Sequence, residues 1–414
     1  MSTARPPARR AARQLVLPVA LLFGLCGCPQ GLEPCAGGPP ASFPVGTVPN
    51  DVAFAECDGE PVLLVPASGD GRLDVFSLSC GALRGSVVFV PEGGVAANPW
   101  AVAVDGERAW VTLQGQGAVA LVDPCGARLL DTRRVDELVT VEPPLALTRP
   151  QDVDGDGATE TTVTRMLPRA PEPVVAQGGV ALVAYTDLLE PGLSPASPPV
   201  LGPAVLARFE RAGDVIQAAA RTVTLPCANP QGLARQGGEL WVSCSGPLGP
   251  TLDAAVAALG PGALVRVDPQ TLEVLETVDA GRLAPGTPAL LPGGLVVGSL
   301  IRPALAQVVD GALLEAPVDG ADLESLFECA PYTASDVPYA LCTHFSGDRL
   351  LLARAQGGGL VVDAVVPVGA GGAMARGAQA VAVAPAAARQ LGVGAAVLLG
   401  LSAEVALVPT ESLP

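Results

Sequence analysis

The chain has 414 residues, of which 49% are hydrophobic and only 16% are charged, and its 24 basic residues are all arginine. The absence of lysine excludes P-loop nucleotide hydrolases and Schiff-base enzymes, because both need a lysine amine at the reacting group. The formal net charge of −17 repels phosphate backbones, so nucleic acid is not an expected partner.

The N-terminus has the three parts of an export signal. Residues 1–14 are basic, residues 15–25 are apolar, and the apolar run leads into Leu25-Cys26-Gly27-Cys28. The apolar run is too short to span a bilayer. A leucine three residues before a cysteine, with a small residue directly before that cysteine, resembles the bacterial lipobox.

The lipobox resemblance implies that residues 1–27 are a lipoprotein signal peptide, that Cys28 is diacylated, and that residues 28–41 form a lipidated tether. Several acyl chains on one residue make a stable membrane anchor. Pro29 stands where an inner-membrane retention signal has Asp, which favours the outer membrane, with the protein facing the periplasm or the cell surface. Secretion with cleavage elsewhere, or a buried helix, is the alternative.

A repeating unit begins downstream of the tether. Residues 98–111 and 229–242 each run from Asn-Pro through an apolar strand and a glycine turn to Trp-Val, and residues 50–64 have the same shape with one residue inserted. We expect the three asparagines of the chain, Asn50, Asn98 and Asn229, to occupy the same position of the repeat. Weaker copies fill the rest, which gives seven units of about four strands in roughly 40–50 residues, a pattern typical of a β-propeller.

The second strand of these units carries a distinctive tetrapeptide. It reads Trp110-Val111-Thr112-Leu113 in one unit and Trp241-Val242-Ser243-Cys244 in another. The units resemble YVTN-type β-propeller repeats, a family of mostly extracytoplasmic seven-bladed domains. The resemblance implies an all-β, seven-bladed propeller over residues 42–414, and it specifies the architecture rather than an activity.

The phase of the repeat predicts how the ring closes. The last unit offers strands near 379–384, 394–400 and 403–409, and lacks a fourth strand. Residues 42–48 lie just upstream of the first unit, where the other units carry their outermost strand. We therefore expect this N-terminal strand to complete the last blade and remove an exposed edge.

Three stretches exceed the repeat, at residues 137–171, 188–203 and 246–262. The last two are rich in Pro, Gly and Ala and are predicted to be surface loops. The first contains DVDGDGATE, in which alternating carboxylates can converge on one hard cation. The oxygen ligands would come from Asp152, Asp154, Asp156, Ala158 and Glu160. The pattern resembles the calcium loops of exported repeat proteins and implies one structural Ca²⁺; an acidic, solvated turn is the alternative.

Eight cysteines follow Cys28, and an even number in an exported chain predicts disulfides. The absence of a CxxC pair and the presence of a single histidine argue against a zinc site. Cys57 and Cys80 occupy two turns of the first unit that share one face, so we predict that they are bonded. Cys227–Cys244 and Cys329–Cys342 are predicted because each pair flanks the opening of one blade. Cys35 and Cys125 remain, and we predict that they form the fourth bond.

Four further side chains are candidates for a functional role: His344, Trp100, Trp110 and Trp241. His344 is predicted to be a surface loop residue, because no serine or cysteine nucleophile pattern accompanies it. Trp110 and Trp241 are expected to pack between blades. Trp100 has no counterpart in the repeat, and it is expected either to pack in the same way or to line the top surface.

These observations favour a lipid-anchored envelope propeller that acts as a non-catalytic binding or scaffold module for a protein or glycan partner. The alternative is a lactonase-type hydrolase that uses the central channel. That alternative requires acidic and arginine side chains to converge in the channel, and Arg235, Arg266 and Arg302 are the arginines to examine first. A haem or copper propeller is disfavoured by the single histidine.

Overall fold

The structure is a computed structural model of the whole chain. The predicted signal peptide, Cys28, Cys35 and the predicted calcium loop at 152–160 lie outside the residues that it describes. The described residues are 38–91, 93–134, 170–190, 200–217, 221–250, 256–318, 325–356, 359–368 and 376–414.

The described strands group into seven blades, numbered here in chain order. The first strand of the chain, β1 (Ser42–Pro44), belongs to the seventh blade. Blades 1 and 2 contain β2 (Ala53–Cys57), β3 (Glu60–Ala67), β4 (Arg72–Ser77) and β5 (Leu83–Val88), then β6 (Pro99–Asp105), β7 (Arg108–Leu113), β8 (Ala118–Asp123) and β9 (Arg128–Arg134). Blade 3 contains β10 (Ala170–Gln177), β11 (Val180–Thr186), β14 (Val205–Ala212), β15 (Val215–Ile216) and β16 (Arg221–Thr224).

The remaining blades follow the same order from the inner strand to the outer strand. Blade 4 contains β17 (Pro230–Gln236), β18 (Glu239–Cys244), β21 (Gly262–Val267) and β22 (Val274–Gly281). Blade 5 contains β23 (Ala289–Leu291), β24 (Gly294–Gly298), β25 (Ala304–Val309) and β26 (Ala312–Pro317). Blades 6 and 7 contain β27 (Leu326–Ala334), β28 (Val337–His344), β29 (Arg349–Gln356) and β30 (Gly359–Pro367), then β31 (Ala378–Val383), β32 (Val393–Leu399) and β33 (Glu404–Pro409).

Two of the predicted surface insertions contain paired strands. The first forms a hairpin of β12 (Leu188–Glu190) and β13 (Val200–Leu201), and the second forms β19 (Leu248–Pro250) and β20 (Val256–Ala258). The helix in the described part of the chain, α1, spans Ala386–Gln390. Among the described residues, no helix has the length and apolar character needed to cross a membrane.

Burial explains why the inner three strands of a blade read as apolar runs. Each blade packs on both faces against a neighbouring blade, so β7 buries both Trp110 and Val111, which point to opposite faces of the sheet. The outermost strand has less cover, and β22 accordingly alternates between exposed and more buried positions along its length. The sequence pattern of a unit therefore follows from its depth in the ring.

The ring is held together by hydrophobic clusters between blades. Within the described residues there are seven such clusters, one for each pair of adjacent blades, including the pair formed by blades 7 and 1. No blade buries its own apolar faces without neighbours, so the clusters make the ring one cooperative unit. The expected seven-bladed, all-β propeller is confirmed.

The hydroxyl in the second-strand tetrapeptide joins neighbouring inner strands. Thr112 Oγ1 accepts the N–H of Ala101 at 3.0 Å and donates to the carbonyl of Glu172 in the next blade at 2.9 Å. Thr343, in blade 6, likewise lies 3.3 Å from the carbonyl of Gln379 in blade 7. A small hydroxyl is favoured there because it satisfies buried backbone groups of two blades at once.

The predicted ring closure is confirmed. The strand β1 pairs antiparallel with β33, and its residues Ser42, Phe43 and Pro44 face Ala406, Val405 and Glu404. The fourth strand of the last blade therefore comes from the N-terminal side of the domain. The side chain of Phe43 is 5% exposed and belongs to the cluster between blades 7 and 1, so the closing strand is also a packing element.

The expected equivalence of the three asparagines is wrong for one of them. Asn98 and Asn229 both have left-handed backbone, with φ of 53° and 58°, and each carbonyl accepts an N–H from the turn after the second strand. In blade 1 this position is Val48, with φ of 49°, and Asn50 lies two residues later. The Asn50 side chain still reaches Ser68 in the corresponding turn, which explains why the sequence pattern looked continuous.

Three disulfides join described cysteines, and two of them are as predicted: Cys227–Cys244 and Cys329–Cys342. The predicted pairs Cys57–Cys80 and Cys35–Cys125 are wrong, because Cys57 is bonded to Cys125 with the Cα atoms 5.3 Å apart. Cys57 ends the first strand of blade 1, and the turn after the third strand of blade 2 brings Cys125 beside it. The bond therefore links two blades rather than two turns of one blade.

Candidate functional site

The seven innermost strands line a central channel, and the strand register identifies one repeated position at its mouth. In each blade, one pair joins the beginning of the inner strand to the end of the second strand just before the register shifts or the ladder is interrupted: Pro49–Ala67, Pro99–Leu113, Pro171–Tyr185, Pro230–Cys244, Pro285–Ser299, Leu326–His344 and Ala378–Leu399. The residue that follows this pair begins the channel wall. The seven occupants of this mouth position are Asn50, Trp100, Glu172, Gln231, Gly286, Phe327 and Gln379.

A cavity of about 220 Å³ opens at this mouth. Trp100 and Gln231 line it from the mouth position, and Asp51, Thr287 and Glu328 line it from the next position along their strands. Trp100 is partly exposed while its other side packs on the cluster between blades 2 and 3. The cavity therefore combines an aromatic surface, an amide, a hydroxyl and two carboxyl groups.

Asp51 and Glu328 are an electrostatically coupled pair. Burial raises the pKa of Asp51 to about 7, although the N–H groups of Val52 and Val102 donate to its two oxygens at 2.7 and 2.8 Å and lower it. Burial raises the pKa of Glu328 well above its usual value, and the charge of Asp51 raises it further. The two groups therefore cannot both be ionised near neutral pH without a large cost.

Glu172, at the mouth position of blade 3, is a third acid that is partly buried. Burial raises its pKa to about 7, and hydrogen bonds from Thr186 and Gln114, at 3.1 and 3.0 Å, oppose that rise. Gln114 belongs to blade 2, so the carboxyl group joins blades 2 and 3. Its neighbour Pro173 lines the cavity.

These three acids predict that the protein loses stability as the pH rises. Each has a folded-state pKa above its unfolded value, so its contribution is complete below its unfolded pKa and is lost as the pH rises through the folded one, which is about 7 for Asp51 and Glu172. We expect the Tm of the wild-type chain to fall between about pH 5.5 and about pH 8.5, and to fall less in an Asp51→Asn variant. Thermal unfolding followed by circular dichroism at both pH values measures this.

The matched control for this measurement is Asp58→Asn, in the exposed turn between β2 and β3. This substitution removes one carboxyl group outside the channel, so the Tm of the variant should depend on pH as the Tm of the wild-type chain does. A wild-type Tm that rises between the two pH values, or an Asp51→Asn variant with an unchanged pH dependence, would contradict the assignment.

Of the three arginines that the hydrolase alternative singles out, Arg235 lines cavities of the channel. Arg235, near the end of β17, lines two cavities of about 290 and 470 Å³ towards the end opposite Trp100. Arg266 and Arg302 instead pair with glutamates of their own blades, Glu276 at 3.0 Å and Glu315 at 2.7 Å. Acidic and arginine side chains thus share one channel, but at different depths.

The prediction that His344 is a surface loop residue is wrong. His344 is the last residue of β28, a position buried between blades, and its side chain is 0% exposed. Its Nε2 lies 3.3 Å from Ser346 Oγ. The packing expected for Trp110 and Trp241 is confirmed, since each belongs to a cluster between two blades.

The candidate calcium ligands Asp152, Asp154, Asp156, Ala158 and Glu160 and the candidate lipidation site Cys28 lie outside the described residues. In the ranges that the structure does describe, no three histidine, cysteine, aspartate or glutamate side chains are grouped to hold a metal ion.

Sequence reasoning did not single out Asp51, Glu172 or Glu328. Each stands at the start of an inner strand, but the three units differ so much in sequence that their acids do not align. Glu172 precedes a proline, whereas Asp51 follows an asparagine and Glu328 follows a phenylalanine. The one available signal was that all three acids interrupt the beginning of an otherwise apolar strand.

Comparison with known proteins supports the fold alone. No family model matches the chain, and no curated protein matches it. A chain of Kuenenia stuttgartiensis hydrazine synthase superposes with a TM-score of 0.57 at 11% identity, covering 93% of this chain and 99% of that one. A chain of a mitotic checkpoint complex gives 0.55 at 12% identity, with 99% of each chain covered.

The Dos1 propeller superposes with a TM-score of 0.52 at 10% identity, covering 88% of this chain and 78% of that one. The three neighbours include both an enzyme and a checkpoint complex. At such low identity the similarity shows the arrangement of blades and carries no information on the function of this chain.

Proposed function

We propose that this protein is a lipid-anchored β-propeller of the bacterial envelope that binds a protein or glycan partner at the mouth of its channel marked by Trp100. The anchor is Cys28, and the outer membrane is its location. The proposal depends on the mouth position, where one repeated backbone site around the ring holds two aromatic residues, three amides, one acid and one glycine. A fixed frame with varied side chains is the general design of a binding surface.

The disulfides support the envelope location. Cys57–Cys125 joins two blades, and Cys227–Cys244 and Cys329–Cys342 each join strands or turns at the opening of one blade. Disulfides form and persist in oxidising compartments, and they are rare in a reducing cytosol. The lipobox-like sequence before Cys28 gives the exported chain an attachment point to the membrane.

The composition of the cavity favours binding by contact. Trp100 offers a partly exposed ring, and Gln231 and Thr287 offer polar groups beside it. Aromatic surfaces flanked by a few polar groups are typical of sites that bind sugars or protein side chains.

A lactonase-type hydrolase is the second candidate, and one observation favours it. Asp51 and Glu172 have pKa values of about 7, where a general acid or base works best. Against it, both oxygens of each carboxyl group already accept hydrogen bonds from the protein, from Val52 and Val102 at Asp51 and from Gln114 and Thr186 at Glu172. These hydrogen bonds stabilise the ring and hold both carboxyl groups in place, which disfavours a role for them in proton transfer.

Photocrosslinking in intact cells tests the binding proposal. A photoreactive phenylalanine derivative in place of Trp100 keeps an aromatic ring at the mouth, and the matched control places it at Leu275, which is 48% exposed on the outer strand β22. We expect one discrete adduct from position 100 and none from position 275. The adduct should sediment with the outer membrane, and it should be soluble when Cys28→Ala is added.

Adducts of equal yield from both positions, or none from position 100, would contradict the binding proposal. An adduct that stays with the membrane in the Cys28→Ala chain would contradict the anchor. Turnover of a lactone by the wild-type chain that is lost in Asp51→Asn would establish the hydrolase instead.

A further inference from the structure

Arg235 lies towards the end of the channel opposite Trp100. Arg235 lines a cavity of about 290 Å³ together with Glu328, and it also lines the adjoining cavity of about 470 Å³ together with Gln177 and Gln236. The second cavity lies where the inner strands of blades 2, 3 and 4 end. Arg235 is therefore positioned between the interior of the channel and its second mouth.

The guanidinium of Arg235 has unused hydrogen-bond donors. Its Nε and Nη1 atoms are buried and have no hydrogen-bond partner among the described residues, and the same holds for Nε of Arg208 in blade 3. Buried donors are nearly always satisfied in native proteins, and a charged donor left without an acceptor is costly. The buried donors of Arg235 therefore lack an acceptor among the described residues.

Neighbouring carboxyl groups do not supply that acceptor. Asp105 accepts the N–H groups of Gly178 and Gly179 at 2.7 and 2.6 Å and lies 3.5 Å from Arg211, so its oxygens are occupied. Glu210 pairs with Nη1 of Arg208. Both carboxylates are therefore already engaged, and neither bonds the buried Nε or Nη1 of Arg235.

The electrostatics of Arg235 agree with this geometry. Burial lowers the pKa of Arg235, and the nearby positive charge of Arg208 lowers it further, whereas Asp105 offsets only part of the effect. Such a site gains from any negative charge that enters the cavity, because the charge would pair with the partly desolvated guanidinium group of Arg235.

We propose that the cavity of about 470 Å³ beside Arg235 binds an oxyanion, that is a carboxylate, sulfate or phosphate group, with the guanidinium group of Arg235 as donor. The oxyanion is either a free ion or a group carried by a larger ligand. The site differs from the mouth at Trp100 in its position and in the sign of its charge, and it does not depend on the function proposed for that mouth.

Calorimetric titration of the purified chain tests the proposal. Sodium sulfate, phosphate and acetate are titrated separately into a Tris chloride buffer at constant ionic strength. We expect at least one of them to bind saturably, and Arg235→Met to weaken that binding by roughly tenfold or more, as for the loss of a charge-assisted pair. The order of the three affinities identifies the preferred group.

The matched control is Arg266→Met, which makes the same substitution at an arginine that already has its partner, Glu276. It should bind the anion as the wild-type chain does. In buffer without oxyanions, Arg235→Met should leave the Tm unchanged or raise it, because it removes a buried charge without a partner. A merely structural arginine would instead lower the Tm on substitution.

Three results would overturn the proposal: no binding of any of the three anions to the wild-type chain, equal binding by Arg235→Met, or a clear fall in the Tm of Arg235→Met in the anion-free buffer. None of these results bears on crosslinking at position 100. The failure of one proposal is therefore distinguishable from the failure of the other.

Discussion

A chain without β1 should unfold at a far lower temperature than the full chain. Deleting residues 42–44 removes Phe43, which is 5% exposed and packs against Phe76 with ring centroids 5.2 Å apart. Truncation of a buried phenylalanine alone costs about 3–5 kcal/mol. The deletion also removes the strand that covers the edge of β33, so its effect should exceed that of Phe43→Ala.

Thermal unfolding of three chains measures this effect: the wild-type chain, the deletion and Phe43→Ala. The matched control is Leu83→Ala, which also shortens an apolar side chain on the outermost strand of a blade, but at a position that is 49% exposed. Its Tm should stay close to that of the wild type, because exposed substitutions change stability by about 0.5 kcal/mol or less. An unchanged Tm for the deletion would mean that the ring does not depend on its closing strand.

Removal of the Cys57–Cys125 disulfide should have the second large effect. The bond closes a loop with a sequence separation of 68 residues, and loop-closure entropy then predicts a loss of about 4 kcal/mol in the free energy of unfolding. The bond also fixes blade 1 against blade 2. A Cys57→Ala/Cys125→Ala chain leaves neither thiol of the pair free, and unfolding in guanidinium chloride measures its stability.

The internal comparison is Cys329→Ala/Cys342→Ala. That disulfide spans 13 residues between two paired strands of one blade, so the same relation predicts a smaller loss of about 3 kcal/mol. If the chain without Cys57–Cys125 were at least as stable as the chain without Cys329–Cys342, the link between blades would not be the stronger constraint.

Closure of the ring was predictable because it depends on the number of strands in the last unit. The last unit has three strands, a further strand precedes the first unit, and an unpaired edge is unfavourable in any ring. The equivalence of Asn50 with Asn98 and Asn229 failed for a related reason. A short polar side chain can reach one partner from two backbone positions, so Asn50 contacts the expected turn although Val48 occupies the left-handed position.

The candidate site was predictable only in part. Arg235 belongs to an inner strand, and its place in the channel follows from that, whereas Arg266 and Arg302 lie on third strands or turns and find partners in their own blades. The pair Asp51 and Glu328 comes from blades 1 and 6, which are separated by 277 positions in the sequence numbering. No local pattern reports that two such residues face one cavity.

By itself, the sequence determined the class of fold, the number of blades and the strand that closes the ring. Those properties follow from hydrophobic periodicity and from turn residues, which act over a few positions of the chain. Only the tertiary structure shows that Cys57 meets Cys125, that His344 is buried, and that Asp51 and Glu328 line one cavity. Each of these contacts depends on which blades are neighbours. Stacking in a ring brings together residues that are far apart in the sequence, and no local sequence pattern indicates these contacts.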